Sequence, residues 1–372
     1  VKVAILTPGG VDRSGTERVI PCILWLIERL VRAGDEVHVF AFNQEAAPGR
    51  WRLLGADVHN AGRRLRGLKV LSMLRAEHRR GRFDILHAFW AVPSGTVGAV
   101  AAKLLGVPLL LTLPGGDTAR IPEIGYGGRL SLRGRMRLRL AVAGADGITV
   151  PSGFMQEQAR AAGIEAVRIP LGVALDLWPP RLPEARETGA PLRLLHVANL
   201  NPVKDQETLL RAAAALKARG LAFVLDMIGF DTLGGAVQRR AAALGLADLV
   251  HFHGFMPHAA LRPWMERADL LVMSSRHEAG QLVALEAALA GVPTVGTRVG
   301  HIADFAPEAA VAVPVGDADA LAAAILGLAA DEDERLRLAA AAQARALGED
   351  ADLTAREFRR LYEALGTGRA GS

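Results

Sequence analysis

Cysteine occurs once in 372 residues. Cys22 by itself can form neither an internal disulfide nor a cysteine-clustered metal site, and its place in the apolar run PCILWLIERL is that of a buried small hydrophobe. One thiol suits a reducing compartment. Aromatic residues are scarce too, at 5%, which removes the stacking platform that single-stranded nucleic acid needs; no nucleic-acid partner is expected. No stretch reaches the roughly 18 uninterrupted apolar residues of a membrane span. The opening VKVAILTPGG reads as a strand and a glycine turn, without the basic flank and small-residue cleavage site of an export signal. A soluble, cytoplasmic protein is the expectation.

What the chain has in quantity is alternation. Hydrophobic residues make up 51% against 22% charged, and 372 residues are too many for one ordinary core. Short apolar runs, VKVAIL, DEVHVFAF, DILHAFW, PLLLTLP and GITVPS, are separated by segments such as GTERVIPCILWLIERLVRAG, whose apolar residues recur at helical spacing. That order predicts βαβ units and a parallel sheet. LRLLHVANL, FVLDMIGF, VHFHGF, DLLVMSS and PTVGTRV predict a second one. Between the two series, IPLGVALDLWPPRLPEARETGAPLR is rich in Pro and Gly and carries no sustained period. The predicted division is a Rossmann-like domain over 1–172, a linker and hinge over 173–190, a second Rossmann-like domain over 191–350, and a C-terminal helix over 351–372. That helix has room to pack back on the first domain, and its TGRAGS end is expected to fray.

Formal charge is +5 with a sequence pI near 9.8, and the excess sits in the first half. Arg63, Arg64, Arg66, Lys69, Arg75, Arg79, Arg80 and Arg82 form one basic stretch; Arg129, Arg133, Arg135, Arg137 and Arg139 form another. With leucines and Met136 interleaved, RLSLRGRMRLRLAV has the make-up of a basic amphipathic helix for anionic headgroups or a phosphorylated acceptor, with an Arg-rich solvated face as the plain alternative. Peripheral contact with the inner face of an anionic membrane is therefore carried as an expectation.

The most informative spacing lies in SRHEAGQLVALEAALAGVPTV. Ser274 and Ser275 close an apolar strand, Gly280 breaks it, and Gln281 to Leu289 reads as a helix, so Glu278 belongs to the loop and Glu286 to the helix interior. Separated by more than a helical turn, the two carboxylates cannot grip one small ion together, but they can reach two parts of one long ligand. The amides of Ala279 to Val283 at the helix start suit a phosphate or pyrophosphate. Glu278 is then placed to accept from sugar hydroxyls and Glu286 from ribose hydroxyls. In HVANLNPVKDQETLLRAAAAL, Lys204 occupies a strand-to-helix loop at the crevice end of a parallel strand, where a cation stabilises a leaving diphosphate; Asn199, at the strand end, offers a further hydrogen bond or simply starts a turn. In the first half, PGGVDRSGTERV sets Gly9, Gly10 and Gly15 ahead of a helix, a glycine loop that is not the dinucleotide fingerprint.

GTERV, IPLGV, the Lys204 loop, GLADLVHFHGF and HEAGQLVALEAALAGVPTVGTRVG, in that order along nearly the whole chain, resemble the family 4 retaining glycosyltransferases of the GT-B fold. The resemblance implies an α/β protein of two Rossmann-like domains facing across a cleft, with an NDP-sugar (UDP- or GDP-linked) on the second domain and a glycan, lipid or small-molecule acceptor on the first. It places Lys204 on the donor phosphates, Glu278 on the sugar and Glu286 on the ribose. Ala279, Gly280, Gln281 and Leu282 meet the diphosphate, Phe255 and Met256 the base, and Gly15 closes on the donor from the facing domain. Catalysis is assigned to Lys204 and Glu278, by a front-face path; no metal and no resident cofactor is assigned, the nucleotide-sugar being a co-substrate. His87, at the end of DILH, and Asp117, in TLPGGD, are set on the acceptor side.

The sequence also departs from the family pattern. Asn199 stands where an arginine is common, Pro114 where a histidine often lies beside the reacting sugar, and His301 and Asp304 where a glycine and a glutamate are usual. Pro114 has neither side-chain donor nor N–H. Two further readings follow: a non-hydrolysing epimerase of UDP-sugars, which shares the architecture, and a catalytically impaired nucleotide-sugar-binding protein.

Overall fold

The structure, a computed structural model, describes residues 1–368; the end of the TGRAGS tail, from 369, lies outside the described residues. The chain divides into one unit of residues 1–172 with 350–372 and another of 173–349.

The first unit runs β1 (Lys2–Thr7), α1 (Pro21–Arg32), β2 (Glu36–Ala41), β3 (Gly49–Leu53), β4 (Ala56–Asn60), α2 (Arg66–Arg80), β5 (Ile85–Phe89), α3 (Thr96–Leu105), β6 (Leu109–Thr112), α4 (Leu132–Ala143), β7 (Gly147–Val150), α5 (Gly153–Ala161) and β8 (Val167–Arg168). Its sheet has the order β3-β4-β2-β1-β5-β6-β7-β8 and is parallel except for the antiparallel β3–β4 edge. Neither β3, β4 nor β8 was anticipated. β3 is GRWRL with exposed and part-buried positions alternating, so it offers no apolar run, and β8 has two residues. The inner strands β1 and β5 are buried almost throughout, as strands covered on both faces must be.

The second unit runs β9 (Leu192–Val197), α6 (Gln206–Ala218), β10 (Phe223–Ile228), α7 (Ala236–Ala243), β11 (Val250–Phe252), α8 (Arg262–Arg267), β12 (Leu270–Met273), α9 (Leu282–Leu289), β13 (Thr294–Thr297), α10 (Gly300–Phe305), β14 (Ala310–Val313), α11 (Ala318–Ala330) and α12 (Glu332–Gly348). Its sheet is fully parallel, β11-β10-β9-β12-β13-β14. β14, built on AVAV, is a further strand that alanine-rich sequence hid. The segment 173–190 is tied to this unit: Arg181 N–H donates to Leu289 O at 2.8 Å, and Arg186 bonds the Glu332 carboxylate through its amide at 2.9 Å and its Nε at 3.1 Å.

The last helix, α13 (Ala351–Gly368), belongs to the first unit, where Phe358 and Tyr362 enter the core beside Ile5, Ile85 and Leu110. Both sheets reverse direction once. From β1 the chain adds β2 and β4 on one side and β5, β6 and β7 on the other; from β9 it adds β10 and β11 on one side and β12, β13 and β14 on the other. A crevice opens beyond the carboxyl ends of the two strands at such a reversal.

Candidate functional site

In the second unit the reversal lies between β9 and β12, and the loops leaving those two strands meet. Residues 198–205 follow β9 and residues 274–281 follow β12. Arg276 N–H donates to Val203 O at 2.8 Å, and Ser274 Oγ donates to Lys204 O at 2.8 Å, so each loop holds the other's backbone. This fixed frame brings Lys204 Nζ to 2.5 Å from Glu278 Oε1, and Ser275 Oγ donates to the same oxygen at 2.6 Å. Lys204 and Glu278 are thus one ion pair across the crevice, with about a fifth of the lysine side chain and a tenth of the glutamate exposed (22% and 11%). An ammonium has three donors and the pair uses one, which leaves the cation able to serve an incoming anion.

The loop is stiffened from below. Asp205, at φ +48°, caps α6 through Thr208 and forms an ion pair with Arg276, Nε to Oδ2 3.0 Å. His196, wholly buried in β9, sets Nδ1 2.8 Å from Val272 O, and burial pushes its pKa down to about 4, so it stays neutral. Gln206 Nε2 lies 3.3 Å from His196 Nε2 and donates to Asn199 O at 3.2 Å.

Glu286 lies inside α9 and is 2% exposed. His258 Nε2 sits 2.5 Å from its Oε1, and the His258 ring packs 5.2 Å from Trp178. His258 and Trp178 carried no signal in the sequence, because their contacts join segments far apart in the chain. Phe255, 56% exposed, and half-buried Met256 precede His258 in the loop after β11, so this loop is linked to Glu286.

Gln281 caps α9 at its start and is 3% exposed. Its side chain is committed elsewhere: Nε2 donates to Val299 O at 2.8 Å, and Oε1 accepts the His301 amide at 2.6 Å. Only the backbone of Gln281 therefore faces the duty expected of it. Gly300 explains the close approach. At φ +55° a Cβ here would lie 2.5 Å from Gln281 Oε1 and 2.9 Å from Glu278 Cβ. Ala279 is buried, and Gly280 and Leu282 are part-exposed at the helix start, where first-turn amides have no carbonyl partner inside the helix.

Asn199, just beyond the end of β9, is exposed and is held through its side-chain oxygen. Its Oδ1 accepts from Phe230 N–H at 3.1 Å and anchors the loop after β10, whose Gly229 passes so near that a Cβ would lie 2.0 Å from Ala198 O. This is the loop-forming role open to an asparagine, and it uses only the side-chain oxygen.

In the first unit, Gly15 sits at φ +67° in a loop organised by the Asp12 carboxylate, which takes Ser14, Arg18 and Gln44. Asp117 follows β6. Its Oδ1 accepts from Ala91 N–H at 3.0 Å, and its Oδ2 is shut off from solvent without a hydrogen-bond partner. Burial pushes its pKa up to about 6. Asp117 lines a hollow of about 360 Å³ with Trp90, Tyr126, Gly128, Arg137 and Leu138. The two glycines before it admit the aromatic walls: a Cβ on Gly115 would meet Trp90 Nε1 at 2.6 Å, and one on Gly116 would meet Tyr126 Oη at 2.5 Å.

His87 does not line any such space, which corrects the expectation that it serves the acceptor. It is fully buried, with Nδ1 2.7 Å from Tyr362 Oη and Nε2 2.7 Å from Thr112 Oγ1, and burial pushes its pKa down to about 3. Both ring nitrogens are spent holding α13 to the sheet.

Residues 191–331 match the family described as "Glycosyl transferases group 1", and residues 19–172 match "Glycosyl transferase 4-like domain". A D-inositol 3-phosphate glycosyltransferase of Thermomonospora curvata is 30% identical over 350 residues, spanning 79% of this chain and 77% of that one. Among solved structures, sucrose-phosphate synthase from Thermosynechococcus elongatus superposes with a TM-score of 0.83 at 21% identity, covering 99% of each chain. HepE of Anabaena in complex with UDP-glucose gives 0.75 at 20% identity, covering 98% of this chain and 99% of that one.

Proposed function

The chain belongs to the group 1 glycosyltransferases and has the GT-B fold, and on that premise we propose that it moves a hexosyl group from a UDP-sugar to an acceptor hydroxyl with retention at the anomeric carbon. The observation that carries this reading is the Lys204–Glu278 pair, bridging the β9/β12 crevice beside the start of α9. A diphosphate there meets a cation with spare donors and a helix start, and Glu278 beside it accepts from sugar hydroxyls. Glu286 accepts from the ribose, with His258 steering its carboxylate. The UDP donor is favoured over GDP because HepE was captured with UDP-glucose.

The step balances without a protein nucleophile. The bond from the anomeric carbon to the diphosphate oxygen breaks, a bond to the acceptor oxygen forms on the same face, and the acceptor proton passes to the departing diphosphate. Lys204 and the α9 amides stabilise the charge that collects there. The acceptor binds in the first unit, in the hollow of Asp117 and Arg137. A carboxyl suits hydroxyls and a guanidinium suits a phosphate, so a phosphorylated polyol, as in the name of the Thermomonospora relative, is the acceptor class inferred.

A thermal-shift screen of UDP- and GDP-sugars, followed by transfer to inositol phosphates and sugar phosphates with the product anomer read by NMR, tests this. A donor at a hundred times its Kd adds roughly 2.7 kcal/mol of stability. Epimerised sugar from donor alone would replace the reading with an epimerase. Donor binding without transfer across a broad acceptor panel would leave a binding protein.

A further inference from the structure

In the first unit, α2, α3 and α4 pack side by side on the face of the sheet opposite α1 and α13, and Arg137 and Leu138 of α4 also border the Asp117 hollow. Their outer surface is unusual for one that faces water. On α4, Leu132, Met136 and Leu140 recur every four residues and are 63%, 60% and 51% exposed, while Leu138 and Ala141 on the other side are buried. Leu65 and Leu68 at the start of α2 are 72% and 66% exposed, and Leu104 on α3 is 70% exposed.

Cations frame this apolar stripe. At 3.6 residues per turn, Arg133 and Arg137 lie along one flank of Leu132-Met136-Leu140, and Arg135 and Arg139 along the other. Arg133, Arg137 and Arg139 have no carboxylate partner among the described residues. Arg63, Arg64 and Arg66 extend the charge to the leucines of α2. No acidic residue lies on α3 or α4, and the one on α2, Glu77, is buried in pairs with Arg50 and Arg80.

We propose that this face is a peripheral docking surface for an anionic lipid bilayer, with Leu132, Met136 and Leu140 entering the headgroup boundary and the flanking arginines reaching lipid phosphates. The twelve residues of α4 extend about 18 Å, short of the ~30 Å of hydrocarbon, so the helix lies in the plane of the interface. Long arginine side chains rise from beside an inserted stripe to the phosphate level. A second copy of the chain is disfavoured as the occupant, because a two-fold contact would set this carboxylate-free face against itself, arginine against arginine.

Co-sedimentation of the whole chain with phosphatidylcholine vesicles, with and without 30% phosphatidylglycerol, is the test. Binding should require the anionic lipid and fall steeply between about 0.1 and 0.5 M salt. Arg133→Gln/Arg139→Gln should weaken partitioning on the order of twentyfold, at about fivefold per basic residue near the surface. Leu132→Ser/Met136→Ser/Leu140→Ser should weaken it at least as much. Arg137 stays intact in both, since it also borders the Asp117 hollow. Unchanged melting temperature and UDP binding in both variants would show that folding is not the cause. Equal binding to neutral and anionic vesicles, no vesicle binding, or variants that partition like the parent would overturn the proposal. So would variant-sensitive binding to soluble poly-glutamate alone, which would make the occupant an acidic protein.

Discussion

Both units reverse their strand order once, and the crevice at the second unit's reversal and the hollow beside the ends of β5 and β6 in the first unit are furnished in opposite ways. Beside β9 and β12 the carboxylates are partnered: Glu278 with the Lys204 ammonium, and Glu286 with the His258 imidazole deeper in α9. In the first unit the loops after β5 and β6 meet through one amide-to-carboxyl bond, Ala91 to Asp117, under aromatic walls that glycines admit. Paired charges can be re-partnered by a charged ligand at little desolvation cost, because they are already screened by each other. A single buried carboxyl is instead costly to ionise and suits a neutral, hydrogen-bonding group. On the proposed reading, this contrast sets the charged nucleotide-sugar in the second unit and the hydroxyl-bearing partner in the first.

The largest effect expected is one the two units share, and it bounds the contrast. His59 and His196 are held down to about 4 and His87 to about 3, burial being the leading cause in each. Each is neutral in the fold and gains a proton on unfolding below its ordinary 6.5, so its contribution is complete above pH 6.5 and drains away as pH falls towards 4. At pH 5 this is on the order of 2 kcal/mol per histidine. Asp117, raised to about 6, works the other way between 3.8 and 6 and offsets only part of it. Calorimetry from pH 7 to pH 5 should therefore show a marked fall in Tm; a flat profile would contradict the buried neutral histidines.

Next comes the donor side. Lys204→Ala should lower kcat/KM by about a hundredfold or more, as loss of one preorganised charge-stabilising donor does. Transfer at the parent rate would remove Lys204 from the chemistry. Gly300→Ala touches no ligand in the proposed scheme, yet it forces Gln281 and Glu278 apart from a backbone at φ +55°. UDP affinity should drop on the order of tenfold, with a strain cost of roughly 1–3 kcal/mol. The smallest effect sharpens the contrast best. Asp117→Asn should raise the acceptor KM by about tenfold, roughly the 1.4 kcal/mol of one hydrogen bond to a charged group, with donor affinity unchanged. An equal shift in donor affinity would mean that the crevice and the hollow do not divide the substrates.

Much of the second crevice was legible because its residues sit in two short loop-to-helix segments, each with a local pattern of its own. Glu278 and Glu286 share one loop-helix segment, and Lys204 sits in a strand-to-helix loop whose position in a parallel sheet is predictable from alternation alone. Gly300, His258 and Trp178 were not legible as parts of it, since each matters through contact with a distant segment. His87 was misplaced for the same reason: its partner Tyr362 lies 275 positions away, on a helix that caps the sheet. β3 escaped because an edge strand is only half buried and carries no apolar run, and β4 because ADVHN, though four of its five residues are buried, is mostly polar.

Hydrogen exchange of the whole chain with and without saturating UDP, with GDP in parallel, tests the central claim most directly. Slowed exchange confined to residues 199–206, 254–258 and 275–301, with 110–140 unchanged, is the predicted result. Protection by either nucleotide centred on residues 90–140, with the Lys204 and Glu278 segments unaltered, would contradict the assignment of the donor to the second unit.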